Sequence, residues 1–451
     1  MSKQTRQLHL NAFLHGTGHH EAAWRHPDVD PRAELGLDHY VGIARAAERG
    51  KLDSLFLADG LAISHNITYN VHHSFEPLTL LSALATATSR IGLIATASTT
   101  YNQPYSLARA LASVDRISGG RAGWNIVTSA GQGEARNFNL ADRPDHAARY
   151  ERANEFLETA KALWDSWADD AVVADKASGI YSDVGKIRSI DHHGKHFQVR
   201  GPLNLPRPIQ GHPLLVQAGS SEAGKEFAAR HAEAVFTAHL SVDAAREFYA
   251  DLKGRLGRYG RSASELLILP GISAYLGDTV EEAQEKYRAL NSLANPEYGV
   301  RQLSAQLDFE LSGYPLDGPL PEIPEGTDGS QSRKKLIVDV AREESLTIRG
   351  LTERLAGARG HYTFIGTPAQ VADEIELWFS TGAADGFNIM PPTFPGGLDE
   401  FVDKVVPLLQ ERGLFRTEYT GRTLREHYGL ARPVVTEAEV QPDDLELRRP
   451  A

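Results

Sequence analysis

The chain of 451 residues contains no cysteine. That absence excludes disulfides, thiolate metal sites, iron–sulfur clusters and cysteine nucleophiles, and it leaves the redox compartment open. No stretch approaches the apolar length of a membrane span, and Met1–Leu10 lacks the basic and apolar regions of a signal peptide. A soluble, cytoplasmic protein with no membrane role is the expectation. Positive charge is also in deficit: 47 Lys and Arg face 59 Asp and Glu, for a net charge of −12. No basic tract stands out, so no nucleic-acid partner is expected.

Metal-ligand spacing is missing as well. Histidines cluster at His15, His19 and His20, at His72 and His73, and at His192, His193 and His196. None of these clusters forms a His-Glu-x-x-His helix pattern or has a carboxylate at matching spacing, so no metal is expected. A histidine near a strand end is better suited to donating a proton or touching a substrate, which makes His19 and His20 candidates.

What the chain does have is alternation. Apolar runs read as strands at Leu8–Leu14, Leu52–Asp59, Ile91–Ala97, Ala122–Thr128, Pro213–Gln217, Ala234–Ala238, Leu266–Tyr275 and Gly386–Met390. Between them lie helical stretches, among them His39–Arg49, Pro77–Ser89, Tyr105–Arg116 and Ala147–Trp167. Continuous apolar strands alternating with helices imply parallel pairing under a helical cover. Eight such units over the whole length favour an α/β fold of the (β/α)₈ TIM-barrel type over an open sheet. The expected organisation is one domain over residues 1–451 with loop insertions at about 168–211 and 290–360. The second insertion is the candidate lid, and Thr417–Ala451 reads as a polar surface wrap.

In a barrel of this kind the active site lies at the C-terminal ends of the strands. The residues there are His15 and Gly16, Asp59, Thr96–Tyr101, Asn125, Thr128 and Ser129, Gly219–Ser221, and Pro391–Thr393. They are small and polar, with one clear carboxylate, which does not suit a two-carboxylate hydrolase. The run Gln217–Gly224 passes from strand through small residues into a helix. It reads either as an anion cradle or as an ordinary Ser N-cap. His146 and Tyr150, four apart, share one helix face, either beside an anion with Arg149 or as a surface pair. Trp124 and Asn125 point to opposite faces of their strand, and a buried Asn125 needs hydrogen-bond partners, whether a flavin edge or the backbone.

Several segments, taken in order, resemble the bacterial luciferase-like flavin monooxygenases, in the branch of nitrilotriacetate, EDTA, dibenzothiophene-sulfone and long-chain alkane monooxygenases. They are Leu8–Phe13, Trp24–Pro27, Ala44–Asp59, Phe75–Pro77, Ser113–Ser129, Arg149–Phe156, Pro213–Ser221 and Phe364–Asp373. The resemblance implies a (β/α)₈ barrel and a two-component enzyme. In it, reduced, non-covalent FMN comes from an NAD(P)H:flavin reductase and reacts with O₂, through a C4a-(hydro)peroxyflavin, to oxidise a small-molecule substrate. It also implies a homodimer or homotetramer. Asp59, Ser98, Asn125, His146, Tyr150, Ala218, Gly219, Ser220 and Ser221 would line the FMN site. Ser220, Ser221 and Tyr150 would face the phosphate, and Asp59, Ser98, Asn125 and His146 the ring. Asn125 and His146 would also donate hydrogen bonds in catalysis, and Ala95–Ser98 would hold a non-proline cis peptide. A deazaflavin-dependent oxidoreductase and a non-catalytic flavin-binding protein are the alternatives.

Overall fold

A computed structural model of the chain describes residues 6–63, 67–69, 71, 75–324, 331–357 and 360–435. His72, His73 and part of the Ser312–Gln331 segment lie outside them. Eight parallel strands form a closed barrel: β1 (His9–Leu14), β2 (Ser54–Leu57), β3 (Gly92–Ser98), β4 (Ala122–Val127), β5 (Leu214–Gln217), β6 (Ala234–Thr237), β7 (Leu267–Leu276) and β8 (Gly386–Ile389). The seam is β8 against β1, with His9 opposite Gly386 and Ala12 opposite Ile389. The expected eight strands are all present, each within two residues of its expected ends. Every residue of β3 is buried, as parallel strands covered on both faces must be.

The helices that matter for the mouth are α1 (Leu37–Arg49), α2 (Pro77–Ala87), α3 (Pro104–Ser118), α4 (His146–Trp164) and α5 (Glu222–His231). Their starts follow from capping chemistry. Glu76 accepts from the N–H groups of Leu78 and Thr79 ahead of Pro77, and Asp145 accepts from Ala148 N at 2.8 Å. Trp124 points outward into the layer between strands and helices, its ring centroid 5.7 Å from that of Phe156. Asn125 therefore points into the barrel.

Three features depart from the expectations. First, a ninth strand, Tyr362–Gly366, pairs with the far half of β7; its half-exposed pattern carries no buried-strand signal. Second, the peptides of Ala95–Ser98 belong to regular strand, paired through Ser98 opposite Val127. The cis bonds among the described residues are Gly201–Pro202 and Phe394–Pro395. Third, the stretch from Thr417 does more than wrap the surface. Leu424 and Tyr428 are buried in the barrel's lower interior with Phe56, Ile94, Leu214 and Leu269. The two are one helical turn apart, so a short, mostly polar segment still delivers both inward. Gly92 makes room for them, because a Cβ there would lie 2.3 Å from Leu424 Cδ1.

The same floor holds a buried polar set. Tyr428 Oη donates to Asn11 Oδ1 at 2.7 Å, and Asn11 Nδ2 donates to Asn388 Oδ1 at 3.1 Å. Asp53 is ion-paired with Arg416 and lies 3.1 Å from His9 Nδ1. Burial alone would raise the Asp53 pKa, but the Arg416 and His9 charges prevail and hold it below the usual carboxylate range.

Of the two inserted segments, residues 168–211 carry short hairpins, Val172–Asp175 with Ile180–Ser182 and His192–His193 with Gln198–Val199. Residues 290–360 carry helices Pro296–Leu307, Gln331–Glu343 and Ile348–Ala356. These helices gather an apolar cluster of their own, including Val300, Leu303, Ile337 and Leu351.

If the C-terminal segment is part of the core, Leu424→Ala should cost about 2–5 kcal/mol, the range for emptying a buried leucine site. Urea unfolding would show a lowered midpoint with an unchanged slope.

Candidate functional site

At the C-terminal ends of β2, β4 and β5 lies a cavity of about 320 Å³. Asp59, Thr128, Ser129, Glu134, Tyr150, Gln217, Ala218 and Gly219 are among its walls. Four of the expected cofactor residues, Asp59, Tyr150, Ala218 and Gly219, thus share one space. Ser98 is joined to it at one remove, because Ser129 Oγ and Ser98 Oγ are 2.8 Å apart. Ser98 Oγ also accepts from Thr100 N at 3.1 Å, which turns the chain at the end of β3. Ser129 itself has φ +49°, an uncommon conformation for a non-glycine residue; such backbone is concentrated at ligand sites.

The turn after β5 is built for close approach. A Cβ on Gly219 would meet Gln217 Nε2 at 2.3 Å and Tyr150 Oη at 2.8 Å, and one on Gly224 would meet Gly219 C at 2.9 Å. Glycine at both positions lets the helix start press against the strand end, leaving backbone N–H groups at the cavity. Ser221 is the N-cap of α5 and accepts from Gly224 N at 3.1 Å. Its Oγ also lies 3.4 Å from His146 Nε2. The His146 and Tyr150 rings are 4.9 Å apart, so their four-residue spacing does put them on one face. His146, expected nearer a flavin ring, stands beside Ser221, itself expected to face the phosphate. Ser220 is exposed at the turn. Burial pushes the Tyr150 phenol pKa up, opposed by its hydrogen bond with Ser221 and the Arg149 charge.

Two buried amide oxygens have no donor. Asn125, 3% exposed, donates through Nδ2 to Thr96 Oγ1 at 2.8 Å, while its Oδ1 has no partner. Gln217, at the end of β5, likewise has an unpartnered Oε1. Buried acceptors of this kind are rare in finished structures, so each is poised for a donor from a ligand. A flavin, with a ring edge of alternating donors and acceptors and a phosphate on a flexible chain, fits this set: acceptors inside the barrel, hydroxyls and free N–H groups at the turn. Gln217 was read in the sequence only as the start of the Gln217–Gly224 run, and Glu134 was not singled out. Glu134 sits in the loop after β4, on a five-residue helix, Gln132–Arg136, too short to show a periodic signal.

Glu134 ties that loop across the mouth. Its Oε1 accepts from Leu61 N at 3.2 Å, and Asn137 Nδ2 donates to Leu61 O at 2.7 Å. Asp59 lies beneath this strap. Burial chiefly, then the charges of Glu76 and Glu134, raise its pKa, while the Gly60 N–H acts against them.

His19 and His20 sit elsewhere, on the side of β1 and β8. Their backbone N–H groups donate to Pro391 O and Pro392 O at 3.0 and 3.2 Å. His19 is buried against Phe13, with Nε2 2.8 Å from Phe13 O. His20 Nδ1 accepts from Ala22 N at 3.0 Å, so Nε2 carries the proton and donates to Asn291 Oδ1 at 2.8 Å. His20 thus pins the first loop to the segment after β7. His192 and His196 face Glu155 and Glu151 on the far side of α4.

A closed parallel barrel with a polar cavity at its C-terminal strand ends is an enzyme architecture. A family model described as luciferase-like monooxygenase matches residues 17–385. The N-acetyl-S-(2-succino)cysteine monooxygenase of Bacillus subtilis (strain 168) is 50% identical, with 96% of this chain and 99% of that one covered. Nitrilotriacetate monooxygenase component A of Aminobacter aminovorans is 49% identical, over 95% of this chain and 97% of its own. A solved structure of riboflavin lyase with modified FMN and riboflavin aligns with a TM-score of 0.83 at 32% identity, covering 97% of this chain and 98% of that one. The chain belongs to the luciferase-like monooxygenase family. Among the described residues no helix is long and apolar enough to cross a membrane.

The electrostatics of the strap are directly testable. Glu134→Gln removes one of the charges that raise Asp59, so the Asp59 pKa should fall toward the ordinary carboxylate value. A carboxyl-carbon NMR titration of wild type and variant would show the shift, and an unmoved Asp59 would separate the two groups.

Proposed function

We propose that this chain is the oxygenase component of a two-component system that uses reduced, non-covalent FMN and O₂ to oxidise a small organic substrate. A separate NAD(P)H:flavin reductase supplies the cofactor. The observation that carries this reading is the pair of buried, donorless oxygens, Asn125 Oδ1 and Gln217 Oε1, beside the glycine-floored turn after β5. It is supported by the FMN in the riboflavin lyase structure and by the component name of the nitrilotriacetate relative.

Reduced FMN, when bound, would supply the two electrons that activate O₂, and O₂ would supply the oxygen atom transferred. The chain's own residues bind, orient and shield. Asn125, its amide held by Thr96, would offer Oδ1 as an acceptor to the flavin ring. Ser220, Ser221, Tyr150 and His146 hold the phosphate at the start of α5, where the helix dipole favours an anion. Asp59 and Ser98 flank the ring, and Ala218 and Gly219 let it approach the backbone. The loop with His19 and His20, and the helices of residues 290–360 pinned to it through Asn291, form the substrate wall and keep water out.

For the substrate we propose a carboxylate-bearing molecule oxidised beside sulfur or nitrogen. The names of the two relatives near 50% identity support this. So does a second cavity of about 260 Å³, between the first loop and the later insertion, whose lining includes Trp24, Arg25, Tyr69 and Tyr298.

The test of the reaction is rapid mixing of the protein–reduced FMN complex with oxygen. Flavin reoxidation should be slower than that of free reduced flavin and should be hastened by a true substrate. Reoxidation at the free-flavin rate, with binding confirmed, would leave a flavin carrier. Separately, Ser220→Ala combined with Ser221→Ala should weaken FMN binding by about 1–3 kcal/mol, the range for hydrogen bonds to a charged group. An unchanged dissociation constant would remove both serines from the site.

A further inference from the structure

At the end of the barrel opposite the mouth, where α3 stops and β4 begins, lies an open groove of about 620 Å³. It runs between the last turn of α3, the insertion of residues 168–211 and the C-terminal segment. Val172, Tyr181, Pro206 and Ile209 give it apolar walls. Tyr181 is 71% exposed, and its hairpin neighbours Val173 and Ile180 are exposed as well. One exposed apolar side chain is ordinary, but several on one hairpin beside a groove mark a surface that something covers. The hairpin, Val172–Asp175 with Ile180–Ser182, also pairs with no third strand among the described residues. Two strands alone are marginal in water.

The floor of the groove is already fixed. Asp115, buried at the end of α3, accepts from Ile209 N at 2.7 Å and from Gln210 Nε2 at 2.7 Å. The buried Arg207 pairs with Asp165 at 2.8 Å and donates to Pro433 O at 2.9 Å. The groove is therefore preformed, and what it lacks is a cover.

The course of the chain supplies a candidate. The described residues end at Val435, on the lip of the groove. Arg432 Nε donates to Ile209 O at 3.0 Å and its Nη1 to Asp169 Oδ2 at 2.6 Å. Gly211 lets Pro433 lie close, since a Cβ there would stand 3.2 Å from Pro433 Cδ. Val434 is then 87% exposed. Residues 436–451 follow from that point. Extended chain advances about 3.4 Å per residue, and no linker has to be spanned before this segment can lie in the groove. Its composition suits the walls. Ala438, Val440, Leu445 and Leu447 alternate with Glu437, Glu439, Asp443, Asp444 and Glu446. The apolar members match Tyr181 and Ile209. The acids match Arg116, which donates to Pro206 O and Arg207 O and forms no ion pair among the described residues.

We propose that residues 436–451 pack back into this groove of their own chain, covering the insertion hairpin and tying it to the end of α3. The inference is independent of the flavin reading. It makes the C-terminal segment the clasp of the first insertion.

The absence of cysteine makes the test clean, because an introduced pair reports on one contact. Ala168→Cys, on the groove wall, is combined in turn with Ala438→Cys, Val440→Cys and Leu445→Cys in the full chain. A disulfide forms only where the Cα atoms come within about 7 Å. After mild oxidation at least one pair should close within a single chain. It should run as a monomer on a non-reducing gel and resist maleimide labelling. The same tail positions combined with Lys176→Cys, at the hairpin's turn and outside the groove, should close more slowly. No link from any position overturns the inference. Equal rates at Ala168 and Lys176 overturn it too, as they would show a tail sweeping freely. Links formed only between two chains would assign the groove to a second copy and overturn it as well. In a separate measurement, a stop after Val435 should quicken amide exchange in Val172–Ser182 by about tenfold, and unchanged exchange overturns the inference. Should the Ala168 variants fail to fold, this truncation decides alone.

Discussion

The seam between β1 and β8 is the constraint on which the mouth depends. Once His9 to Ala12 pair with Gly386 to Ile389, no strand edge is left in the ring, and all eight strands must end on one face. That geometry brings Asp59, Ser129 and Gly219 around one cavity although they come from three different strand–helix units. It also sets side-chain direction. With the pleat fixed by pairing to β3 and β5, Trp124 has to pack among the helices and Asn125 has to face the interior, where its carbonyl oxygen finds no donor. The site's chemistry is thus a product of register.

The cavity is electrically lopsided. On the β2 side, burial chiefly, with the charges of Glu76 and Glu134 added to it, raises the Asp59 pKa. On the α4 side, Arg143, Arg149 and Arg152 each donate to a loop carbonyl. Between them lie small residues and hydroxyls. A ligand that places a dianion at one end and a neutral hydrogen-bonding ring at the other would lie along this gradient in one direction only. Orientation would then be fixed by long-range field before any short contact forms.

Much of this could be read from the residues. The strands announced themselves because parallel strands buried on both faces are continuous apolar runs, as in Ile91–Ala97. Residues of the cavity and its rim were legible where a strand end and a helix start fall together, as at Gln217–Gly219, and where spacing defines a face, as for His146 and Tyr150. What could not be read depends on contacts between distant segments. Nothing near Glu134 signals that it will reach Leu61. Nothing around His20 shows that both its ring nitrogens will be engaged, one by Asn291. The burial of Leu424 and Tyr428 was masked by their charged neighbours.

That last feature bears on how the molecule is made. The barrel's floor is incomplete until Leu424 and Tyr428 arrive, and Asp53, buried from β2's start onward, lacks its cation until Arg416 does. A growing chain therefore carries an open-bottomed, unclosed sheet until β8, Arg416, Leu424 and Tyr428 have all been made. Until then the apolar edges of β1 and β7, which β8 covers, are exposed to other chains. For such a protein, yield in the cell is governed by whatever shields the unfinished barrel in the moments before the fifty described residues from β8 onward arrive.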